Sequence, residues 1–162
     1  MTSEIPTDRP RTVAETMVVL SRLMHPQDAN PVGNVHGGTI MKFIDDAAAV
    51  VATRHARRIT VTASLDRLDF HEPVHVGDLL VLKASLNYVG RTSMEVGVRV
   101  EAEDLRTGEV RHTASAYLTY VAMDESGRPA PVPPLDPRTE DEKRRYEAGR
   151  ARRDERVKSR KG

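Results

Sequence analysis

The sequence predicts an α+β domain in which a curved antiparallel sheet wraps one long helix. Three observations point to it. Apolar residues recur at helical spacing from Thr39 to about Arg54, as Ile40, Phe43, Ile44, Ala47 and Val51. Four later segments alternate apolar and polar residues with the period of a strand. The helix precedes those strands instead of alternating with them, and a single amphipathic helix covers several strands only when the sheet curls around it.

In chain order, residues 1–12 are expected to be disordered. MVVLSRLM (17–24) is apolar and β-branched enough for a strand, and HPQDANPVGN (25–34) is a loop broken by Pro26, Pro31 and Gly33. After the helix, Val61, Ala63 and Leu65 alternate, while Leu68 and Phe70 fall out of phase, which predicts a bulge at Asp66–Arg67. LVLKASLNY alternates through Leu80, Leu82, Ala84, Leu86 and Tyr88. MEVGVRVEA follows through Met94, Val96, Val98 and Val100, with charges on the other face. A turn at Leu105–Gly108 leads into the long strand EVRHTASAYLTYVAM. This order, strand, helix, then antiparallel meander, is that of the hotdog fold, and it assigns residues 13–125 to one such domain.

Five prolines make residues 126–138 an extended connector outside the core. Thr139-Glu-Asp-Glu142 then reads as a capping box opening a charged helical tail over 139–162, either a solvated helix or a subunit-packing arm. That tail holds ten Lys and Arg against six Asp and Glu, so the net charge of +1 conceals a negative domain and a basic tail. Its basicity therefore gives no reason to expect nucleic-acid binding. No apolar run is long enough to insert in a membrane, and the polar, proline-containing N-terminus lacks the form of a secretory signal, so a cytoplasmic location is expected. The absence of cysteine excludes disulfides, thiolate metal sites and a Cys nucleophile.

GNVHGGTIMKFIDD (33–46) is chemically the densest stretch. Gly37 and Gly38 sit where backbone N–H groups lack helical partners and the dipole end is positive. Bare of side chains, they either let helix and sheet pack closely or admit a ligand oxygen, such as an oxyanion forming from a carbonyl. Farther along, helical phase separates two aspartates. Asp46 lies four residues from Lys42 on the polar side and reads as an exposed ion-pair partner. Asp45 stacks with Met41, Ala48 and Ala52 at the border of the apolar face, where partial desolvation suits a general base. Asn30 either shapes a turn or holds a water or carbonyl with its amide.

DANPVGNVHGGTIMKFIDDAAAVVATRH, DRLDFHEPVHVGD and NYVGRTSMEV together resemble the hotdog-fold acyl-CoA thioesterases of the cytosolic (brain-type) acyl-CoA hydrolase family and its single-domain bacterial relatives. The similarity runs from about Met17 through VPPL and into RRYEA. It implies a site built from a loop asparagine and a helix carboxylate of opposing hotdog units, matched here by Asn30 and Asp45. It further implies water attack on a thioester carbonyl, without acyl-enzyme, metal or cofactor, coenzyme A being part of substrate and product. Some eukaryotic members fuse two hotdogs. This chain has one, so the resemblance implies a homodimer, assembled further into a trimer of dimers. Arg91, Thr92 and Ser93 form either a plain hairpin tip or a contact to the pantetheine and nucleotide. Arg54 is either a phosphate ligand or a cation suited to a helix C-terminus.

HEPVH (71–75) has the letter pattern of a zinc protease, but Pro73 denies it the helix that pattern needs, so it reads as a loop between strands. His36 is expected to pack against a ligand or neighbouring subunit, and His55 and His112 to be satisfied histidines. Ser64, Ser85 and Ser93 show no His partner for a triad. The alternative function is a non-catalytic acyl-CoA-binding module, which would have no use for both Asn30 and Asp45. A hydratase would need a His–acid pair.

Overall fold

The computed structural model describes residues 9–162, so most of the segment expected to be disordered lies outside the described residues. Its last two residues do not fit that expectation. Arg11–Thr12 form a short strand, β1, paired in parallel with β7 (Leu135–Asp136).

The main sheet has five antiparallel strands. In chain order they are β2 (Val18–Leu23), β3 (Ile59–Phe70), β4 (Leu79–Val89), β5 (Ser93–Glu103) and β6 (Val110–Met123). Across the sheet the order is β2-β4-β5-β6-β3, which leaves β2 and β3 as edges. Helix α1 (Gly37–Ala56) touches all five strands, as a sheet curled around one helix requires. Ile44, Ala47, Val51 and Ala52 face Leu80, Leu82, Val96 and Val100 in the buried core. Each large side chain there contributes roughly 1.5–3 kcal/mol by leaving water.

α1 runs two residues beyond each end of the expected span. His36 caps its start, and Arg57, in a left-handed conformation (φ 52°), ends it by donating its N–H to Thr53 O. In β3 the register slips after Leu65, at the expected bulge, and also after Thr62. The phase of its first half differs from the expectation. Thr62 pairs across from the inward Tyr120, and Thr60 meets Thr53 of the helix, so Val61 points outward instead. Hydroxyls occupy the inner positions here, and the apolar pattern misleads. A slip at Asn87 in β4 likewise turns Tyr88 away from α1.

Two segments expected outside the core belong to the folded body. Ala130 N donates to Ala122 O at 2.8 Å and Val132 N to Arg91 O at 3.0 Å, while Val132 and Leu135 join the core. The prolines hold this stretch extended without a helix of its own, and the residues between them supply the donors and apolar side chains. The tail folds as α2 (Glu140–Ser159), opened by the expected Thr139–Glu142 capping box. It lies across the outer face of the sheet. Gly149 lets the two backbones approach, since a Cβ there would come within 2.8 Å of Tyr88 Cβ. Arg152 pairs at 2.6 Å with Glu95, whose side chain is 1% exposed, and its guanidinium stands 3.9 Å above the Tyr117 ring. Among the described residues, no helix is long and apolar enough to cross a membrane.

Candidate active site

Asp45 lies in the middle of α1, half-buried on the side facing β3 and β6. Thr62 Oγ1 donates to its Oδ1 at 2.9 Å, and the Tyr120 hydroxyl donates to the same oxygen at 2.5 Å. Thr62 and Tyr120 are direct cross-strand neighbours, so their side chains rise from the same face and converge on one carboxylate. Burial, then the adjacent carboxylate, hold the Tyr120 phenol above the usual tyrosine range, so it remains a neutral donor. Asp46 is exposed, and no ion pair joins it to Lys42 among the described residues.

A second cluster forms at the start of the helix. Asn30, Val35, Gly37, Ile40, Phe70 and His71 line a cleft of about 330 Å³. The Asn30 side-chain oxygen accepts the N–H groups of Val32 (3.0 Å) and Asn34 (3.2 Å), so it does shape the turn. Its amide nitrogen donates to nothing among the described residues and is left for another partner. Gly38 departs from the expectation of two free donors. Its N–H donates at 2.9 Å to Nδ1 of His36, because that imidazole folds back as the helix cap. Thr39 and Ile40 donate to His36 O, which leaves the N–H of Gly37 unengaged among the described residues. Among the described residues His36 thus serves as the helix cap.

These clusters do not meet within one chain. Eight residues of helix separate Gly37 from Asp45, a rise of about 12 Å. β3 spans the gap, with Phe70 beside Gly37 at one end and Thr62 beside Asp45 near the other. Arg91, Thr92 and Ser93 form the β4–β5 tip at the Thr62 end, where Ser93 pairs with Val121, next to Tyr120. Arg91 O and Thr92 O accept Val132 and Ala122 N–H groups, so the tip is also a structural junction. Arg54 donates to Met17 O at 3.2 Å and, with Arg57, lines a separate cleft of about 450 Å³ along the helix.

HEPVH forms a loop between β3 and β4. Asp78 caps it by accepting the His75 N–H at 2.9 Å and pairs with Arg111 at 2.6 Å. His55 is fully buried and donates Nε2–H to Pro133 O at 2.6 Å. His112 Nε2 lies 2.7 Å from Ser115 Oγ.

The thioesterase superfamily model matches residues 32–109, the stretch that holds the helix, Asp45 and Thr62. An uncharacterised acyl-CoA thioester hydrolase of Bacillus subtilis is 43% identical over 136 residues, covering 84% of this chain and 79% of that protein. The chain belongs to the hotdog acyl-CoA thioesterases of this superfamily. Within the family, the rat cytosolic acyl coenzyme A thioester hydrolase is 39% identical over 145 residues, 88% of this chain but 38% of that longer protein. Among solved structures, an apo-hexameric acyl-CoA thioesterase superposes with a TM-score of 0.89 at 44% identity, covering 93% of this chain and 97% of that one. An acyl-CoA hydrolase from Staphylococcus aureus, in complex with butyryl coenzyme A, coenzyme A and coenzyme A disulfide, gives 0.84 at 38% identity, with 93% and 92% covered. The same enzyme has been solved with alanine replacing an asparagine, an aspartate and a threonine. Those three positions are spaced by 15 and 17 residues, the spacing of Asn30, Asp45 and Thr62 here. Thr62 is absent from the sequence expectations, because the apolar phase of Val61, Ala63 and Leu65 assigns it to the outer face; only the register opposite Tyr120 turns it toward Asp45.

Proposed function

We propose that the chain hydrolyses acyl-CoA thioesters to a free carboxylic acid and coenzyme A, in a site shared between two copies. The observation that carries this is the separation of two half-sites along β3, whose outer edge is unpaired among the described residues. Asp45 waits at the Thr62 end of β3, and Asn30 with the Gly37 N–H waits at the Phe70 end. A two-fold axis through the middle of β3, near Leu65–Asp66, sets the Phe70 end of one copy opposite the Thr62 end of the other. Ile59, Val61 and Phe70 are exposed along this edge, which such pairing would cover. The names of the related proteins and the asparagine–aspartate–threonine spacing support the same reading.

In this mechanism Asp45 takes a proton from water as the water oxygen bonds to the thioester carbon. Asn30 of the other copy positions that water or polarises the carbonyl, and the Gly37 N–H faces the developing oxyanion. Collapse breaks the carbon–sulfur bond, and the departing thiolate takes the proton back from Asp45. Carboxylate, amide and helix end together supply base and electrophile, so this mechanism uses no metal and no cofactor. Arg91, Thr92 and Ser93, at the Asp45 end, are assigned to the pantetheine and nucleotide, with Arg54 as a further phosphate contact. Three such dimers in a hexamer complete the assembly, after the hexameric relatives.

A thiol-release assay over acyl-CoAs from two to about eighteen carbons tests this. Turnover at one or more chain lengths is expected. Tight binding without release above that of Asp45→Asn at any length would establish the non-catalytic binding module instead.

A further inference from the structure

Tyr120 is a buried polar group that the reaction just described leaves unused. It lies on β6 opposite Thr62, is 1% exposed, and carries a hydroxyl that an ordinary core position has no need of. A buried hydroxyl costs stability unless it is bonded, and a phenylalanine would fill the same space. Here the single phenolic proton is shared between two acceptors of one residue, Asp45 Oδ1 at 2.5 Å and, at the longer distance of 2.9 Å, the Asp45 carbonyl oxygen. Thr62 donates to the same Oδ1. Asp45 Oδ2 accepts nothing among the described residues.

We infer that Tyr120 is a positioning residue for Asp45. Together with Thr62 it pins Oδ1 to the sheet and thereby fixes the carboxylate plane, leaving Oδ2 as the atom that takes the proton from water. The shorter arm of that shared bond goes to the carboxylate, and the longer one keeps the hydroxyl against the backbone of the same residue. The hydroxyl donates without giving up its proton and touches no reacting atom. This assignment rests on the general-base reading of Asp45.

The closing experiment is Tyr120→Phe in the full chain. The ring stays, and only the donor is lost. Expected is a fall in kcat of about ten- to a hundredfold, the range for a hydrogen bond to a charged group, with KM for acyl-CoA unchanged. In an Asp45→Asn background the same substitution should cost no further activity, because the phenol acts only through the carboxylate. A second measurement needs no activity and no Tyr120 variant. Ultraviolet titration of the four tyrosines should show Tyr120 and Tyr146 ionising late in the wild type, and only one of the two moving earlier in Asp45→Asn. Wild-type kcat in Tyr120→Phe, or a titration curve indifferent to Asp45→Asn, overturns the assignment. A wild type that releases no thiol from any acyl-CoA overturns the functional reading, and the positioning role with it. The two failures are thus told apart by the wild-type assay alone.

Discussion

Asp45 and Asp46 differ by about 100° of helical phase, and that difference sorts their surroundings. Asp45 turns toward the sheet and collects two hydroxyl donors, whereas Asp46 turns to solvent. Asp45→Asn should therefore remove nearly all thioester hydrolysis in a protein that still folds, and Asp46→Asn should keep most of it. Swapped phenotypes in the thiol-release assay would refute the assignment of the base. His55 offers a second test at this scale. Burial, reinforced by the Arg11 charge, pushes its pKa below the ordinary 6.5. Its Nδ1 is buried without a partner among the described residues, so the folded chain resists protonation. The unfolded chain takes up the proton near pH 6.5, so this contribution is complete above that pH and is lost as pH falls below it, by at most about 1.4 kcal/mol per pH unit. Thermal unfolding between pH 8 and 5 should show a steeper decline for the wild type than for His55→Asn. The backbone phase of the two aspartates was legible in sequence. The hydroxyls that single out Asp45 were not, because they come from 17 and 75 residues away.

Helix α2 shows how a charged element becomes part of a domain. Its composition reads as a solvated helix or a subunit-packing arm, and within its own chain Arg152 neutralises Glu95, which β5 presents to the outer face of the sheet. Asn87 donates to the same carboxylate at 3.1 Å. Removing one member of such a pair leaves a buried charge uncompensated. Arg152→Met should cost about 3 kcal/mol, a fall in Tm of roughly 6–12 °C. Adding Glu95→Gln should recover part of the loss, as urea denaturation of both variants would show. If Arg152→Met unfolds like the wild type, α2 is an appendage after all. The Pro-rich stretch makes the same point, since its residues between prolines close the sheet at Ala122 and Arg91. Partners of this kind lie on other strands, beyond the reach of a local pattern.

At the scale of the whole molecule, the exposed edge β3 is where the proposed function sets a second copy. If the site is shared across it, Asn30→Ala and Asp45→Ala chains are each inactive alone but complementary when mixed. Random pairing makes half the dimers mixed, and each mixed dimer carries one intact and one doubly damaged site. The recovered rate should then approach a quarter of wild type, provided subunit exchange is verified by mass spectrometry of tagged chains. Confirmed exchange with no recovery would place Asn30 and Asp45 in a single chain's site.

By itself the sequence determined the element order, the helix and its buried face, the bulge at Asp66, the capping box of α2, and the two residues around which a site could form. These depend on local periodicity, backbone preference and helical phase, which a chain carries along its length. The tertiary structure alone decided that Thr62 and Tyr120 hold Asp45, that His36 occupies Gly38, that Glu95 requires Arg152, and that Asn30 and Asp45 stand apart within one chain. Each of those depends on which strand lies beside which, and cross-strand proximity is a property of the assembled sheet.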